Sequence, residues 1–291
     1  MKELSNRSAN FTDSVIRRMT RVANKYGAVN LSQGFPDFDP PKAITDRLAT
    51  CGSTEAMMAT MLSITNPGDK VVIFSPFYEN YGADTILSGA EPIYVPLVPP
   101  EFHFDKEKLE DAFRQGAKAL ILCNPSNPCG KVFTMEEMQT IAELAKKYDA
   151  YVVTDEVYEH IVYAPYKHIY MQSLEGMRER TIVCNSLSKT YSITGWRLGY
   201  VIANPQIIDR VKKVHDFLTV GAAAPLMEAA VVGLEFGDGY YDELAAHYAH
   251  MKEVFVGGLK KLGLKYTDPQ GAYYVLVDVS EFGVKDDVKF C

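Results

Sequence analysis

One lysine and one arginine are the residues of this chain most able to do chemistry. Lys189 and Arg197 lie in a stretch rich in hydroxyl groups, which begins at Ser186 and reads Ser-Leu-Ser-Lys-Thr-Tyr-Ser-Ile-Thr-Gly-Trp-Arg. A lysine amine can attack a carbonyl group and hold it covalently, and an arginine with nearby hydroxyls can bind phosphate. The stretch therefore predicts an anchor for a phosphorylated cofactor that carries a carbonyl group. The alternative is a polar surface loop, because isolated motif matches are often fortuitous.

Four apolar runs are predicted to position this site. They are near-continuous rather than alternating, which is typical of strands covered on both faces of a parallel sheet. Amphipathic segments alternate with them, as in βαβ units. Because ligands of open α/β sheets bind at the carboxyl ends of the strands, we expect Lys189, just beyond the last run, at that edge. The runs are residues 71–74, 119–123, 151–154 and 181–184.

Local signals predict three helices around and after these runs. Thr134 and Glu137 form a capping box in front of an apolar stripe, and Asn204 followed by proline predicts a second helix start. A long helix is predicted from Tyr240 to about Leu262, and a strand at 272–277. We interpret this last part as the start of a smaller second domain.

Three further segments carry polar residues at the ends of predicted elements. Asp155 directly follows the third run, with Tyr158 three residues later. Asn127 lies in Asn-Pro-Ser-Asn-Pro-Cys-Gly after the second run. Residues 52–54, Gly-Ser-Thr, lead into a helical pattern, and backbone N–H groups at the start of a helix bind phosphate. With the lysine stretch, these segments supply an amine, a carboxylate, hydrogen-bond donors and a phosphate site.

Together the four segments resemble those of the class I/II aminotransferases, which are fold type I enzymes that use pyridoxal 5′-phosphate (PLP). The resemblance extends from about Asn30 to the C-terminus. It implies an α/β fold, with a large domain whose mostly parallel sheet is flanked by helices and a smaller, incomplete α/β C-terminal domain. The implied division is an N-terminal, substrate-covering arm at 1–50, the large PLP-binding domain at 51–232 and the truncated small domain at 233–291.

The resemblance assigns roles to the residues around the cofactor ring. Lys189 would be the catalytic residue, which holds PLP as a Schiff base and moves a proton as general acid and base. Asp155 would keep the pyridine nitrogen protonated, although an aspartate there can also cap a turn. Tyr158 and Asn127 would donate hydrogen bonds to the ring oxygen O3′. Core packing is the alternative for Tyr158, and an ordinary turn is the alternative for Asn127.

The phosphate and substrate contacts are also implied by the family. Tyr78 would stack on the pyridine ring, with its neighbour Phe77 as the rival. Gly34, in Leu-Ser-Gln-Gly-Phe-Pro-Asp, would lie over the substrate together with Asn127, although this glycine could equally belong to an ordinary turn. The phosphate would be bound by Ser53, Thr54, Ser186 and Arg197.

The implied function is PLP-dependent transamination of an L-amino acid with a 2-oxo acid acceptor, 2-oxoglutarate, by ping-pong kinetics. The subgroup is the one that handles aspartate, aromatic, methionine or kynurenine-like amino acids. Two alternatives stay open. A PLP-dependent C–S β-lyase would share Lys189, Asp155, Tyr158 and Arg197. A non-catalytic PLP-binding protein is favoured by one feature, the lack of any arginine after Arg210. Because relatives are usually homodimers, we expect a homodimer.

The chain departs from the family pattern in two places. Pro41 and Gly52 are eleven positions apart, where relatives have several tens of residues, so we expect that a segment of the natural protein is absent near 49–52. No arginine follows Arg210. The C-terminal arginine that grips the substrate α-carboxylate in relatives therefore has no counterpart, and the chain is expected to stop at Cys291 inside the small domain.

Composition argues against several other classes of protein. A hydrophobic fraction of 47% with 23% charged residues is ordinary for a soluble globular protein. The formal charge of −7 argues against nucleic-acid or anionic-membrane binding, and no apolar run is long enough to span a bilayer. Five cysteines without a CxxC pair favour a reducing, cytoplasmic setting. His247 and His250 lie three apart without other ligands in a metal-site pattern, so no metal site is predicted.

Overall fold

The computed structural model describes residues 15–29, 52–219 and 224–283. A seven-stranded sheet is covered on both faces by helices, and all four predicted runs are strands within it. Its strands are β1 (Lys70–Ser75), β2 (Glu91–Val98), β3 (His103–Phe104), β4 (Ala117–Cys123), β5 (Tyr151–Asp155), β6 (Thr181–Ser186) and β7 (Gly199–Ile202). The α-helices are α1 (Val15–Tyr26), α2 (Gly52–Ile64), α3 (Asn80–Leu87), α4 (Lys106–Arg114), α5 (Met135–Lys147), α6 (Leu187–Thr190), α7 (Pro205–Leu218), α8 (Ala224–Leu234) and α9 (Asp238–Lys261).

The strand order of this sheet is β3-β2-β1-β4-β5-β6-β7. The pairs from β2 to β6 are parallel, and only the edge strands β3 and β7 run antiparallel to their neighbours. The prediction of a mostly parallel sheet is confirmed. Asp155 at the end of β5 is in register with Cys123 of β4 and Cys184 of β6. The loops that carry Asn127, Asp155 and Lys189 therefore leave the sheet side by side.

The core consists of two apolar layers, one on each face of the sheet. Successive residues of β1, Val71, Val72 and Ile73, are all fully buried, which explains why the strand sequences are continuous rather than alternating. Helices α4 and α5 cover one face, and α2 and α7 cover the other. Side chains that fill the layers from these helices include Leu109, Phe113, Met138 and Ile141 on the first face and Met57, Met61, Ile207 and Val211 on the second.

Both predicted helix starts are present with their capping contacts. The Thr134 hydroxyl accepts a hydrogen bond from the Glu137 backbone N–H at 3.2 Å, and the Glu137 carboxylate accepts one from the Thr134 N–H at 2.9 Å. The Asn204 side chain accepts from the Ile207 N–H at 3.1 Å, and Pro205 is the first residue of α7. These contacts satisfy N–H groups that have no partner inside a helix.

The C-terminal part follows the sequence prediction only in its helix. The long helix is α9, but the strand predicted at 272–277 is wrong except at its last residue. A separate two-stranded antiparallel sheet pairs β8 (Lys265–Tyr266) with β9 (Val277–Asp278). Ala272 has a φ of +57°, a left-handed conformation that interrupts an extended strand. Among the described residues, no helix combines the length and apolarity that crossing a membrane requires.

Candidate active site

Lys189 lies in α6, directly after β6, at the carboxyl edge of the sheet. Its Nζ donates a hydrogen bond to Thr194 Oγ1 at 3.4 Å and lies 5.7 Å from the centre of the Tyr273 ring. Burial, with a further contribution from the Arg197 charge, lowers the pKa of the Lys189 amine to about 8, and the Asp155 carboxylate opposes this shift. The neutral amine is the form that attacks a carbonyl group, so burial prepares Lys189 for that step.

Asp155 is a buried carboxylate whose hydrogen-bond donors are neutral. Its Oδ2 accepts a hydrogen bond from the Tyr81 hydroxyl at 2.6 Å, and its Oδ1 accepts one from the Val157 backbone N–H at 3.3 Å. Burial raises the pKa of Asp155, while these two hydrogen bonds and the more distant Lys189 charge lower it. Within the described part of the chain, Asp155 has no ion pair with a lysine or arginine. A cationic group bound beside it would hold the carboxylate in its charged form.

The start of α2 contacts Arg197 and Gly199, which follow α6. This contact requires glycine at positions 52 and 199. A β-carbon on Gly199 would overlap the Gly52 backbone and lie 2.5 Å from the Ser53 nitrogen. Gly52 has a φ of +77°, and a β-carbon there would collide with the Arg197 guanidinium group. Arg197 Nη2 donates to Thr54 Oγ1 at 3.2 Å. The fold thus brings together a guanidinium group and the N–H groups of a helix start, which is a phosphate-binding combination.

The two rivals for stacking on a cofactor ring, Tyr78 and Phe77, occupy different surroundings. The Phe77 ring is stacked on Tyr94 of β2, with ring centres 5.2 Å apart and an interplanar angle of 12°. The Tyr78 ring packs edge-on against Tyr81 at 5.7 Å. Burial and then the Asp155 charge raise the pKa of Tyr78 to about 12. Phe77 also lines a small cavity bordered by Asn127 and Tyr81, so these contacts do not choose between the two rings, and stacking by Tyr78 stays a prediction.

Tyr158 lies in the turn after β5 and contacts two aromatic residues from the C-terminal part. Its hydroxyl is 3.0 Å from the Tyr274 hydroxyl, and its ring meets those of Tyr273 and Tyr274 edge-on at 5.2 and 5.8 Å. Burial raises the pKa of Tyr158 well above its usual range. The phenol is therefore neutral and able to donate a hydrogen bond, which is the role that the family resemblance implies.

Three other predicted site residues are Asn127, Ser186 and Gly34. Asn127 and Tyr81 line one small cavity, beside Cys123. The Ser186 hydroxyl lies 2.5 Å from the Leu198 carbonyl oxygen and accepts from the Ser188 N–H at 3.0 Å, so in this structure it caps α6. Its phosphate contact stays a prediction. Gly34 lies outside the described residues.

Three tyrosines of the site were missed by sequence reasoning. Tyr81 lies in the first turn of α3, whereas Tyr78 precedes that helix, so helical spacing does not relate the two side chains and gave no signal. Tyr273 and Tyr274 were interpreted only as part of a strand. Their approach to Tyr158 and Lys189 depends on a long-range contact, and no local pattern carries that information.

The residues present fit PLP at each of its three functional groups. The amine of Lys189 suits its carbonyl group, and the carboxylate of Asp155, with no cationic partner in the described part of the chain, suits a protonated ring nitrogen. The glycine-lined start of α2 beside Arg197 suits the phosphate. Each of these features costs stability without a ligand, since it involves a buried amine, a buried carboxylate or close backbone contact.

Comparison with known proteins agrees with this chemistry. The family model described as aminotransferase class I and II matches residues 28–289. The chain belongs to this family. A kynurenine–oxoglutarate transaminase of Dictyostelium discoideum is 31% identical, over 97% of this chain and 80% of the relative. A methionine aminotransferase of Escherichia coli is 29% identical, over 96% of this chain and 83% of that protein.

Solved structures show the same fold. The N-succinyldiaminopimelate aminotransferase from Mycobacterium tuberculosis superposes with a TM-score of 0.93 at 29% identity, covering 99% of this chain and 87% of that one. The chain therefore has the fold of PLP-dependent aminotransferases and is a transaminase. The alignment with the Dictyostelium protein spans 346 positions, more than the 291 residues of the chain, so this relative has residues in the matched region that the chain lacks.

Proposed function

We propose that this aminotransferase binds PLP through Lys189, Asp155 and Arg197 and transfers the amino group of an L-amino acid to 2-oxoglutarate. The observation that carries the proposal is the meeting of three groups at one edge of the sheet. They are a buried amine, a buried carboxylate and a guanidinium group at a helix start. The parallel register of β5 and β6 accounts for the closeness of Asp155 and Lys189, and the antiparallel pairing of β6 with β7 brings Arg197, just before β7, to the same edge.

Lys189 is the residue proposed to move protons. Its Nζ would hold the cofactor covalently before substrate arrives, and as a free amine it would take the proton from the substrate Cα. Bound PLP would supply an acceptor for the electron pair left on Cα. A pKa of about 8 lets this amine both accept and return a proton near neutral pH. The hydroxyl of Thr194 fixes the amine on one side.

The other site residues would orient the cofactor. Asp155, positioned by the Tyr81 hydroxyl, would bind the protonated ring nitrogen, while Tyr158 and Asn127 would donate to the ring oxygen. Arg197 and the first turn of α2, with Ser53 and Thr54, would bind the phosphate, joined by Ser186. Tyr78 would cover one face of the ring. Gly34 and Asn127 would contact the substrate.

The relatives support a donor of intermediate or large size. Their names specify kynurenine, methionine and N-succinyldiaminopimelate, and the acceptor named with kynurenine is oxoglutarate. In this chain, the aromatic residues Tyr273 and Tyr274 lie close to Lys189 and Tyr158. Aromatic surfaces of this kind pack well against methionine-like or aromatic side chains, so we propose donors of those two types.

The proposal is tested by the visible absorption of the purified protein with PLP, followed by titration with a panel of L-amino acids. The expected result is a band that Lys189→Ala lacks, that donors bleach, and that 2-oxoglutarate restores. Release of pyruvate and ammonia from a thioether amino acid without an acceptor would identify a β-lyase instead. A band that no amino acid bleaches would identify a non-catalytic PLP-binding protein, and a band retained in Lys189→Ala would disprove the role of Lys189.

We also propose a homodimer. The end of α7 and helix α8 expose large apolar side chains, and Phe217 is 93% exposed. Exposed apolar side chains of this size are candidates for burial in an interface, and closed symmetric dimers are the commonest assemblies of one chain. We propose that these side chains belong to one surface, called the α7–α8 surface, whose other exposed apolar side chains are Leu218, Met227, Val231 and Leu234.

A reducing, cytoplasmic setting is proposed from the thiols. Cys123, Cys129 and Cys184 are buried and free, and burial raises the pKa of each. A thiol with a raised pKa reacts slowly. Cysteines used as small apolar core residues are typical of proteins that do not depend on disulfides.

A further inference from the structure

A second cluster of charged side chains begins at the residue that follows Asp155 in the chain and takes no part in the proposed transamination site. Glu156 and Glu159 lie in the turn after β5, and His168 lies in the next loop. One ligand-type atom from each of these three residues lies within 4.8 Å of the other two. No spacing of the known metal motifs connects them in sequence, so only the fold brings them together.

The cluster is largely removed from solvent. The side chains of Glu156, Glu159 and His168 are 2%, 12% and 6% exposed. His168 Nε2 lies 3.6 Å from Glu156 Oε2, too far for a hydrogen bond, and neither ring nitrogen of His168 has a hydrogen-bond partner. Buried polar atoms without partners are rare, and an ion bound at the site is one of the physical explanations.

The charges of the cluster also favour a cation. In the described part of the chain, the ion pairs of Glu156 and Glu159 are with histidines, His168 and His160, rather than with lysine or arginine. Asn185 Nδ2 donates to Glu159 Oε1 at 2.6 Å, which orients that carboxylate without neutralising it. Two buried carboxylates without a permanent positive partner are costly, and a dication would remove that cost.

We propose that Glu156, Glu159 and His168 bind a divalent transition-metal ion of the Zn²⁺ type. Zinc accepts imidazole nitrogen at about 2.0–2.1 Å and carboxylate oxygen at about 2.0–2.2 Å, in sets of three protein ligands plus water. Magnesium and calcium prefer oxygen ligands alone, so the imidazole favours zinc. Small side-chain rotations bring the three atoms onto one ion. The ion links the turn after β5 to the loop that carries His168 and so stabilises the chain segment that follows Asp155.

The experiment is a calorimetric titration of the PLP-loaded protein, after treatment with a chelator, with ZnCl₂. The expected result is saturable binding of one ion per chain, with a higher melting temperature in its presence. His168→Gln is expected to weaken Zn²⁺ binding at least about tenfold. The matched control is His250→Gln, which changes an exposed histidine of α9 and should bind like the unmodified protein.

Three results would overturn the proposal. The first is the absence of saturable Zn²⁺ binding. The second is equal Zn²⁺ affinity in the unmodified protein and in His168→Gln. The third is a loss of Zn²⁺ affinity in His250→Gln as large as that in His168→Gln. The second outcome would mean that Zn²⁺ occupies other histidines or thiols. If His168→Gln fails to fold, Glu159→Gln decides the question, because it retains the size of the side chain and removes only a charged ligand. Circular dichroism without metal establishes that the variant is folded.

Discussion

The chemistry of the site begins with one buried amine, whose pKa gives it a pH-dependent reactivity. The pKa of Lys189 is lowered to about 8, mainly by burial, so its neutral fraction rises with pH up to that value and then levels off. We predict that the rate constant for capture of PLP by the cofactor-free protein rises about tenfold per pH unit below this pKa. Stopped-flow absorption measures this rate. A rate constant independent of pH between 6 and about 8 would contradict the prediction.

The lowered pKa of Lys189 also predicts how the free energy of unfolding changes with pH. Between about pH 8 and the ordinary lysine pKa of 10.5, the unfolded chain binds a proton at Lys189 that the folded chain does not. The free energy of unfolding of the cofactor-free protein therefore increases with pH in this window, by on the order of 1–3 kcal/mol. Lys189→Met lacks this contribution. Subtracting its free energy of unfolding at each pH from that of the unmodified protein, both measured by equilibrium denaturation, separates the effect of Lys189 from that of the buried tyrosines.

Tyr81 is predicted to act through Asp155. Tyr81→Phe removes the hydroxyl that donates to Asp155 Oδ2, and this hydrogen bond lowers the Asp155 pKa. Without it the Asp155 pKa rises further, so the acidic limb of the kcat/KM profile should move to higher pH. PLP affinity should fall by on the order of tenfold, since hydrogen bonds to charged groups contribute about 1.5–3 kcal/mol.

The control for Tyr81 is Tyr94→Phe. Tyr94 is a tyrosine of β2 that is 47% exposed, so loss of its hydroxyl should leave the pH profile unchanged. An acidic limb that is the same in Tyr81→Phe and the unmodified protein would show that Tyr81 serves only in packing.

At the scale of elements, the phosphate site depends on how closely β7 approaches the start of α2. A β-carbon on Gly199 would overlap fixed backbone atoms of Gly52, so Gly199→Ala must displace the first turn of α2. We predict a destabilisation of about 1–3 kcal/mol, as for other overpacked sites, with at least about tenfold weaker PLP binding through lost phosphate contacts. Equilibrium denaturation and PLP titration measure the two effects.

Gly195→Ala is the matched change for this prediction. Gly195 lies in the same segment, but a β-carbon there would have no atom within 4 Å. Its effect on PLP binding should be small. If Gly195→Ala and Gly199→Ala weaken PLP binding equally, the close contact with α2 is not what shapes the phosphate site.

At the scale of the whole molecule, the C-terminal part is joined to the sheet by an aromatic cluster. Tyr158 and Tyr163, from the region after β5, pack with Leu244 and Tyr248 of α9 and with Ala272. The Tyr163 hydroxyl also donates to the Ala272 carbonyl at 2.6 Å. The division at 51–232 and 233–291 stays a proposal, and this cluster would be the joint between the two parts.

The proposed dimer gives a prediction at the same scale. Phe217→Glu places a charge on the most exposed apolar side chain of the α7–α8 surface. If a second copy covers this surface, burial of an unpaired carboxylate should weaken the dimer at least about a hundredfold. Sedimentation velocity over a concentration series measures the shift. Leu262→Glu, at a 74% exposed position after α9, is the control and should not change the assembly.

A dimer that Phe217→Glu and Leu262→Glu leave equally intact would exclude the α7–α8 surface as its interface. A monomer at all concentrations of the unmodified protein would exclude the dimer itself.

Much of the site could be predicted because its chemistry is local in sequence. Lys189 and Arg197 belong to the one segment between β6 and β7. Asp155 ends β5 and Asn127 lies in the loop after β4, and the parallel pairing of these buried strands brings their ends together. The Thr134 capping box, the Asn204 cap and the strand runs are also local, since each depends on hydrogen bonds or burial within a few residues. For these elements the prediction and the structure agree.

The sequence by itself determined the α/β sheet, four of its seven strands, the helix starts at Thr134 and Asn204, and which residues are the candidate amine and carboxylate. Only the tertiary structure decided which groups surround them. Tyr81 reaches Asp155, Gly199 admits the start of α2, Tyr274 meets Tyr158, and Glu156 comes to lie beside His168. The strand predicted at 272–277 was wrong for the same reason. These positions are set by contacts between residues distant in sequence, where packing overrides local propensity.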